Sequence, residues 1–279
     1  MASNKIVSFL KTPIFMAKEY LHRRPDPRFN WVFVDSSLKD RAESAVATLQ
    51  REGIVMLPGY FGKKALERLT QAFGAAVENR PNPYDPDSFM NMDFIPDNPV
   101  FLEAATDALL LEIIAGYYQK PFAIGRSNAC RLMPTGAYRD NSYQWHHDGR
   151  GRQVHLMILL NDLEPAGQRM SYLKGTHETY YKHYRGLAEG SRFEKDVAEN
   201  SPNPDRIEEV FGVAGTVAIF DSNGLHTGNR NGNGFRDVLL YCYVSRRHWQ
   251  PIRYRRDQVE RLPNPFRQVV TYNPYHAFV

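Results

Sequence analysis

The sequence predicts a mainly β protein with helices packed outside it, a sandwich or barrel rather than a chain of alternating βαβ units. Three observations predict this. Apolar residues at helical spacing all precede Pro121. Short β-rich runs separated by Gly, Asn, Asp and Pro follow it, and the strands therefore come after the helices instead of between them. A length of 279 residues is enough for a sizeable core. The composition, 42% hydrophobic with 24% charged residues, excludes global disorder.

The elements follow in order. Residues 1–44 are basic and aromatic, with an amphipathic stretch KIVSFLKTPIFMAKEYLHRR broken by Pro25 and Pro27. Packing of this arm on the core is favoured over contact with a membrane surface. Lys11 and Pro13 interrupt its apolar character and no small-residue cleavage site follows, so it is not expected to be a signal peptide. No apolar run approaches the roughly 20 residues of a membrane-crossing helix. DRAESAVATLQREG reads as a helix ending at Gly53, with Ala45, Val46 and Leu49 at helical spacing. IVMLPGYF is a strand and turn, and GKKALERLTQAFGAAVEN a second amphipathic helix. Residues 80–99 hold five prolines and are expected to be largely loop. FLEAATDALLLEIIAGYYQ reads as one helix stopped near Gly116. FAIGRSNACRLM, QVHLMILLND, GTVAIFDS and RDVLLYCYVS are the strands, and the polar segment 185–209 between them is expected to be a helix-containing insertion.

Candidate chemistry centres on QWHHDGRG, Gln144 to Gly151. In a strand, residues i and i+2 share a face, which pairs His146 with Asp148 and sends His147 the other way. Such a pair could supply two arms of a metal site, or be an ordinary turn. His226 lies between a strand and a glycine-rich loop, where a side chain can be aimed at a cleft. Two histidines and one carboxylate would leave coordination positions open, the arrangement suited to non-haem Fe(II) and O2 activation. Ten residues on, Arg236 offers a guanidinium whose fixed fork suits a carboxylate. A strand-end surface arginine is the plainer reading of that residue.

Four segments in the right order resemble the phytanoyl-CoA dioxygenase family of Fe(II)/2-oxoglutarate-dependent oxygenases: REGIVMLPGYFGKKALERL, WHHD, LNDLEPAGQRMSYLKGTHE and GTVAIFDSNGLHTGNRNGNGFR. The likeness spans roughly residues 45 to 248. It implies a single oxygenase domain over 1–279: a double-stranded β-helix, or jelly roll (cupin-like), with N-terminal helices outside, a basic arm 1–44 and a basic extension 249–279. It assigns His146, Asp148 and His226 to Fe(II), and Arg236 to the distal carboxylate of the cosubstrate 2-oxoglutarate, with O2 as oxidant. His147 takes the variable position. By strand parity Ser127, Ala129 and Arg131 share a face, and the resemblance turns that face toward the cosubstrate, so Arg131 and Ser127 are expected there; a buried salt bridge is the alternative for Arg131. Thr227 stands beside Gly228, where the family often has a small hydroxyl residue, and is expected to bind cofactor. The usual PGSH reads KGTH, and His177 in it is expected to be structural. The carboxylate Asp148 favours hydroxylation over halogenation, because halogenases of this kind lack it and place chloride there. Desaturation, ring closure and epimerisation use the same machinery.

Pocket walls are expected from 80–99, 137–145 and 185–209. A small-molecule substrate is expected, and seven arginines from Arg246 to Arg267, with Arg150 and Arg152, lean toward an anionic one, such as a carboxylate, a phosphate or a lipid- or carrier-linked acid. No nucleic-acid motif accompanies them. Cys130 and Cys242 are too few for a cysteine zinc site and suit a reducing cytoplasm. Two rival classes are a non-catalytic jelly-roll binding protein and a zinc-dependent hydrolase using the same three residues.

Overall fold

The four apolar runs after Pro121 lie side by side at the centre of one sheet. A computed structural model of the chain describes residues 24–31, 35–134, 144–148, 152–178, 192–193, 206–228, 232–245 and 250–279. Among them, strands β1 (Ile54–Leu57), β2 (Pro81–Asn82), β3 (Asp85–Asn91), β4 (Ala123–Leu132), β6 (Gln153–Leu159), β10 (Val217–Asp221) and β12 (Arg236–Val244) form a major sheet in the order β1-β10-β6-β12-β4-β3-β2. A minor sheet holds β5 (Trp145–His146), β7 (Met170–Leu173), β8 (Arg192–Phe193), β9 (Ile207–Val210) and β11 (His226–Gly228), in the order β8-β5-β11-β7-β9. All pairings in both sheets are antiparallel. The two sheets face each other as a jelly roll.

The major sheet is apolar on both faces because both are covered. Its inner face contributes Ile54, Met157, Leu159, Phe220 and Val238 to a cluster completed by Met170, Tyr172 and Val210 of the minor sheet. Its outer face presents Val154, Leu156, Ile158, Leu239, Tyr241 and Tyr243 to the helices. Those helices are α1 (Lys39–Glu52), α2 (Lys63–Val77), α3 (Pro99–Ala105) and α4 (Ala108–Tyr118). Tyr241 and Tyr243 donate to the carbonyls of Phe101 and Ala105 at 2.8 and 2.5 Å, so each buried hydroxyl is satisfied. Residues 250–279 add the parallel pair β13 (Ile252–Tyr254) and β14 (His276–Phe278) and helices α5 (Arg256–Glu260) and α6 (Asn264–Thr271), which join the same outer core through Ile252, Tyr254, Phe266 and Val270.

Two expectations need correction. The run from Phe101 is two helices rather than one: Asp107 caps α4 by accepting from the Leu110 N–H at 3.2 Å, and Gly116 lies inside it. A Cβ at Gly116 would sit 2.8 Å from Val46 Cγ2, so the glycine permits close packing of α1 on α4 instead of ending the helix. Residues 80–99 are nearly half strand: Pro81 lies on the short edge strand and Pro86 outside the stretch of β3 that pairs with β4, places where a missing N–H costs no ladder bond. In the segment 185–209 only residues 192–193 and 206–209 are described, and Ile207–Val210 pairs with β7; the helix expected there falls outside them. The arm before Arg24, residues 137–143 and most of 185–209 lie outside the described residues.

Of the arginine-rich stretch, Arg246 and Arg247 also lie outside them. The others have local work: Arg253 meets Asp93, Arg255 and Arg261 meet Asp257, Arg256 lies over Phe278, and Arg267 donates to the Glu260 and Leu262 carbonyls. No helix among the described residues is long and apolar enough to cross a membrane.

Gly53 closes α1 at φ 82° and leads into β1. A Cβ there would lie 2.5 Å from both His177 Nδ1 and Tyr172 Oη. Gly53→Ala is therefore expected to destabilise the protein by about 2–5 kcal/mol, from left-handed backbone strain plus overpacking, measured as a lower urea midpoint at unchanged slope.

Candidate metal centre

His146 ends β5 and His226 opens β11, and the two stand directly opposite each other in the ladder. Cross-strand partners share a face, and these two rings lie 4.3 Å apart, centroid to centroid. Each Nδ1 rests against a carbonyl two residues upstream, Gln144 at 2.8 Å and Gly224 at 2.9 Å. A carbonyl can only accept, so each Nδ1 carries a proton, which leaves Nε2 as the ring nitrogen that would face a metal. Asp148 brings its carboxylate to 3.6 Å from His146 Nε2 and 3.9 Å from His226 Nε2. One donor atom from each of the three lies within 4.8 Å of the others. His147, between them in sequence, stands outside this cluster. Burial works against the charge on Asp148; His226, His155, His146 and Arg126 outweigh it and hold the carboxyl below its usual range. Two imidazole nitrogens and one ionised oxygen on a single side fit Fe(II) with open positions.

A tight turn after β10 aligns the set. Ser222 accepts from the Asp148 N–H and donates its own N–H to Gln153, both at 2.9 Å. Asp221 accepts from Tyr117 Oη at 2.7 Å through its side chain and from Tyr172 Oη at 2.8 Å through its carbonyl. Tyr172 lies so close to Gly224 that any Cβ there would overlap its hydroxyl. His177, the histidine of KGTH, is buried and bonds Gln50 O at 3.1 Å through Nε2.

Arg236 opens β12 on the inner face and is buried. Its Nη1 donates to Gln168 O at 2.7 Å, and Gln168 in turn bonds Leu132 O at 3.0 Å. The AGQRM turn thus orients this guanidinium.

Ser127, Ala129 and Arg131 share a face as their parity requires, but the direction implied for that face needs correction. Ala129 packs against the helices, so Ser127 and Arg131 share the outer face, away from the metal cluster. Arg131 makes a bidentate pair with Asp237 at 2.9 and 2.7 Å and lies over the Phe73 and Phe235 rings. Thr227 follows the same alternation: His226 is inward, so Thr227 faces out beside Ser171. The inner residues of β4 are Arg126, Asn128 and Cys130, and β6 adds His155, whose Nε2 lies 3.8 Å from Asp148 Oδ2. Burial, opposed by Asp148 and aided by Arg126 and His226, pushes His155 down to about 3. Burial likewise pushes the neighbouring Cys242 thiol up to about 12, which leaves it unreactive. Polar residues two apart in an otherwise apolar run, Arg126 with Asn128 and Gln153 with His155, were the available signal for this face.

No family model matches the chain. Ectoine dioxygenase of Stutzerimonas stutzeri (strain A1501) is 25% identical, with 72% of this chain and 76% of the relative covered. EctD from S. alaskensis, solved with 2-oxoglutarate and 5-hydroxyectoine, superposes with a TM-score of 0.58 at 21% identity, over 80% of this chain and 82% of its own. HygX from Streptomyces hygroscopicus, solved with nickel, 2-oxoglutarate and hygromycin B, gives 0.56 at 17% identity, over 75% and 90%. These two likenesses are of fold. With the donor set and the sequence relative they decide the kind of enzyme. The chain is an iron- and 2-oxoglutarate-dependent dioxygenase in kind.

In metal-free protein, His155 binds fewer protons folded than unfolded between pH 6.5 and about 3. Its contribution to stability is complete above pH 6.5 and is lost as pH falls toward 3, at up to about 1.4 kcal/mol per pH unit. Denaturant titrations across that window are expected to show a shallower loss in His155→Gln.

Proposed function

We propose that the protein is a hydroxylase of the phytanoyl-CoA dioxygenase family, acting in the cytoplasm on a small, acidic molecule. The convergence of His146 Nε2, His226 Nε2 and the Asp148 carboxylate carries this reading. With iron and 2-oxoglutarate held there, the site would supply oxidation of a C–H bond by O2, coupled to decarboxylation of the cosubstrate to succinate. The protein's part is position and shelter. His146 and His226 present their Nε2 atoms, with each ring oriented by a backbone carbonyl at Nδ1. Asp148 would hold the metal where a halogenase would leave room for a halide, which favours hydroxylation. Arg236 holds the distal carboxylate of 2-oxoglutarate, steadied by Gln168. The small-molecule ligands seen with EctD and HygX support a substrate of modest size. The buried free thiols Cys130 and Cys242 support a reducing compartment. The intact donor set speaks against a mere binding protein, and the dioxygenase relative against a zinc hydrolase.

Anaerobic addition of Fe(II) and 2-oxoglutarate to metal-free protein is expected to raise the weak visible band of a chelated keto acid. The band persists in His147→Ala and vanishes in His146→Ala. Arg236→Gln keeps iron and loses roughly 10- to 100-fold in 2-oxoglutarate affinity, the worth of a charge-assisted bidentate contact. A wild-type protein that is folded and iron-loaded yet shows no band sinks the proposal.

A further inference from the structure

Between the metal cluster and β4, the apolar inner face of the major sheet is interrupted by a polar patch. Arg126 pairs across the ladder with Cys242, Cys242 with His155, and Asn128 with Leu240. Around them the face is Met157, Leu159, Phe220 and Val238. Gln153, the other polar residue here, is satisfied by Cys242 Sγ at 2.9 Å. In contrast, the Nε of Arg126, the Oδ1 of Asn128 and the Nε2 of His155 are buried with no hydrogen-bond partner among the described residues. Arg126 also makes no salt bridge among them, although its charge reaches Asp148, His155 and Cys242. A guanidinium and an amide oxygen kept unsatisfied beside a metal cluster call for a ligand that satisfies them.

We infer that Arg126 and Asn128 form the acid-binding subsite for the substrate: the guanidinium takes its carboxylate, and the Asn128 amide oxygen accepts from a hydroxyl or amino group on the same molecule. Two residues on one face of a strand are roughly 7 Å apart, which sets the spacing of the two groups. This rests on the hydroxylase reading, in which both carboxylates of 2-oxoglutarate are already engaged, one at the metal and one at Arg236. Arg236 lies six residues from Cys242, the cross-strand partner of Arg126, or roughly 20 Å along β12. The two arginines therefore stand far apart along the inner face. The substrate is thereby a small hydroxy or amino acid, oriented with its acid toward β4 and its reacting carbon at the iron.

The test uses the full chain loaded with Ni(II) and saturating 2-oxoglutarate, which holds the site without turnover. Calorimetry then measures 4-hydroxybutyrate, 4-hydroxybutyramide and butyrate as probes. The expected result is at least tenfold tighter binding of 4-hydroxybutyrate than of its amide. That advantage disappears in Arg126→Gln and is largely kept in Arg126→Lys. Asn128→Ala should lose the preference for 4-hydroxybutyrate over butyrate. Affinity for 2-oxoglutarate stays within twofold in all three variants, which also reports that they are folded. The inference is overturned if acid and amide bind wild type alike, or if neither binds. It is also overturned if Arg126→Gln costs tenfold in 2-oxoglutarate affinity, since Arg126 then belongs to the cosubstrate. Failure of the wild type to bind 2-oxoglutarate strikes the hydroxylase reading itself, and the inference falls with it.

Discussion

The centre depends on one cross-strand pair, His146 opposite His226. These strands are short, and their sheet is narrow, so the pair is held from outside itself. The turn Asp221–Leu225 does this, because it grows out of β10 in the major sheet and delivers β11 to the minor one. Its backbone accepts the Asp148 N–H on one side and its own Gly224 carbonyl fixes the His226 ring on the other. One turn therefore sets two of the three ligands. Tyr117 and Tyr172 tie that turn to a helix and to the minor sheet, respectively. Tolerance for error is small: Gly224 is backed by the Tyr172 hydroxyl and Gly53 by the same group.

The division of labour between the sheets follows from burial. The major sheet is covered twice and can be rigid without polar help, with the helices satisfying Tyr241 and Tyr243 through backbone carbonyls. Rigidity there lets the inner face carry groups that would be costly in a softer wall. His155 stays neutral because burial disfavours its charge. Asp148 stays ionised despite burial because three imidazoles and a guanidinium surround it. The same environment thus suppresses one charge and keeps another.

How much of this was legible in the sequence depended on how many faces of an element are buried. The strands of the major sheet read as long apolar runs, and their bounds in the structure agree closely with Ala123–Leu132, Gln153–Leu159, Val217–Asp221 and Arg236–Val244. The minor sheet left weaker traces, since strands of two to four residues cannot display a period. Its metal ligands were found by their chemistry instead: a His-x-Asp pair, and a histidine flanked by glycine turns. Helix breaks were misread where glycine serves packing, as at Gly116 against Val46. Strands were missed where proline sits on an edge, as at Pro81.

Strand parity gives relative faces and needs an anchor to become absolute. In β5 the anchor was the metal chemistry of His146 and Asp148, and that phase agrees with the geometry of the cluster. In β4 the anchor was a family resemblance carried by other segments, and the phase came out inverted. The chain itself contained the better anchor. Asp237 follows Arg236 directly, so on β12 they face opposite ways, and Arg131 is the cross-strand partner of Asp237. Opposite charges directly across a ladder share a face. An inward Arg236 therefore forces Asp237 and Arg131 outward together, and Arg126 and Asn128 inward. Once β12 is phased by one functional arginine, every residue of β4 and β6 follows through the register, including the polar patch that faces the metal.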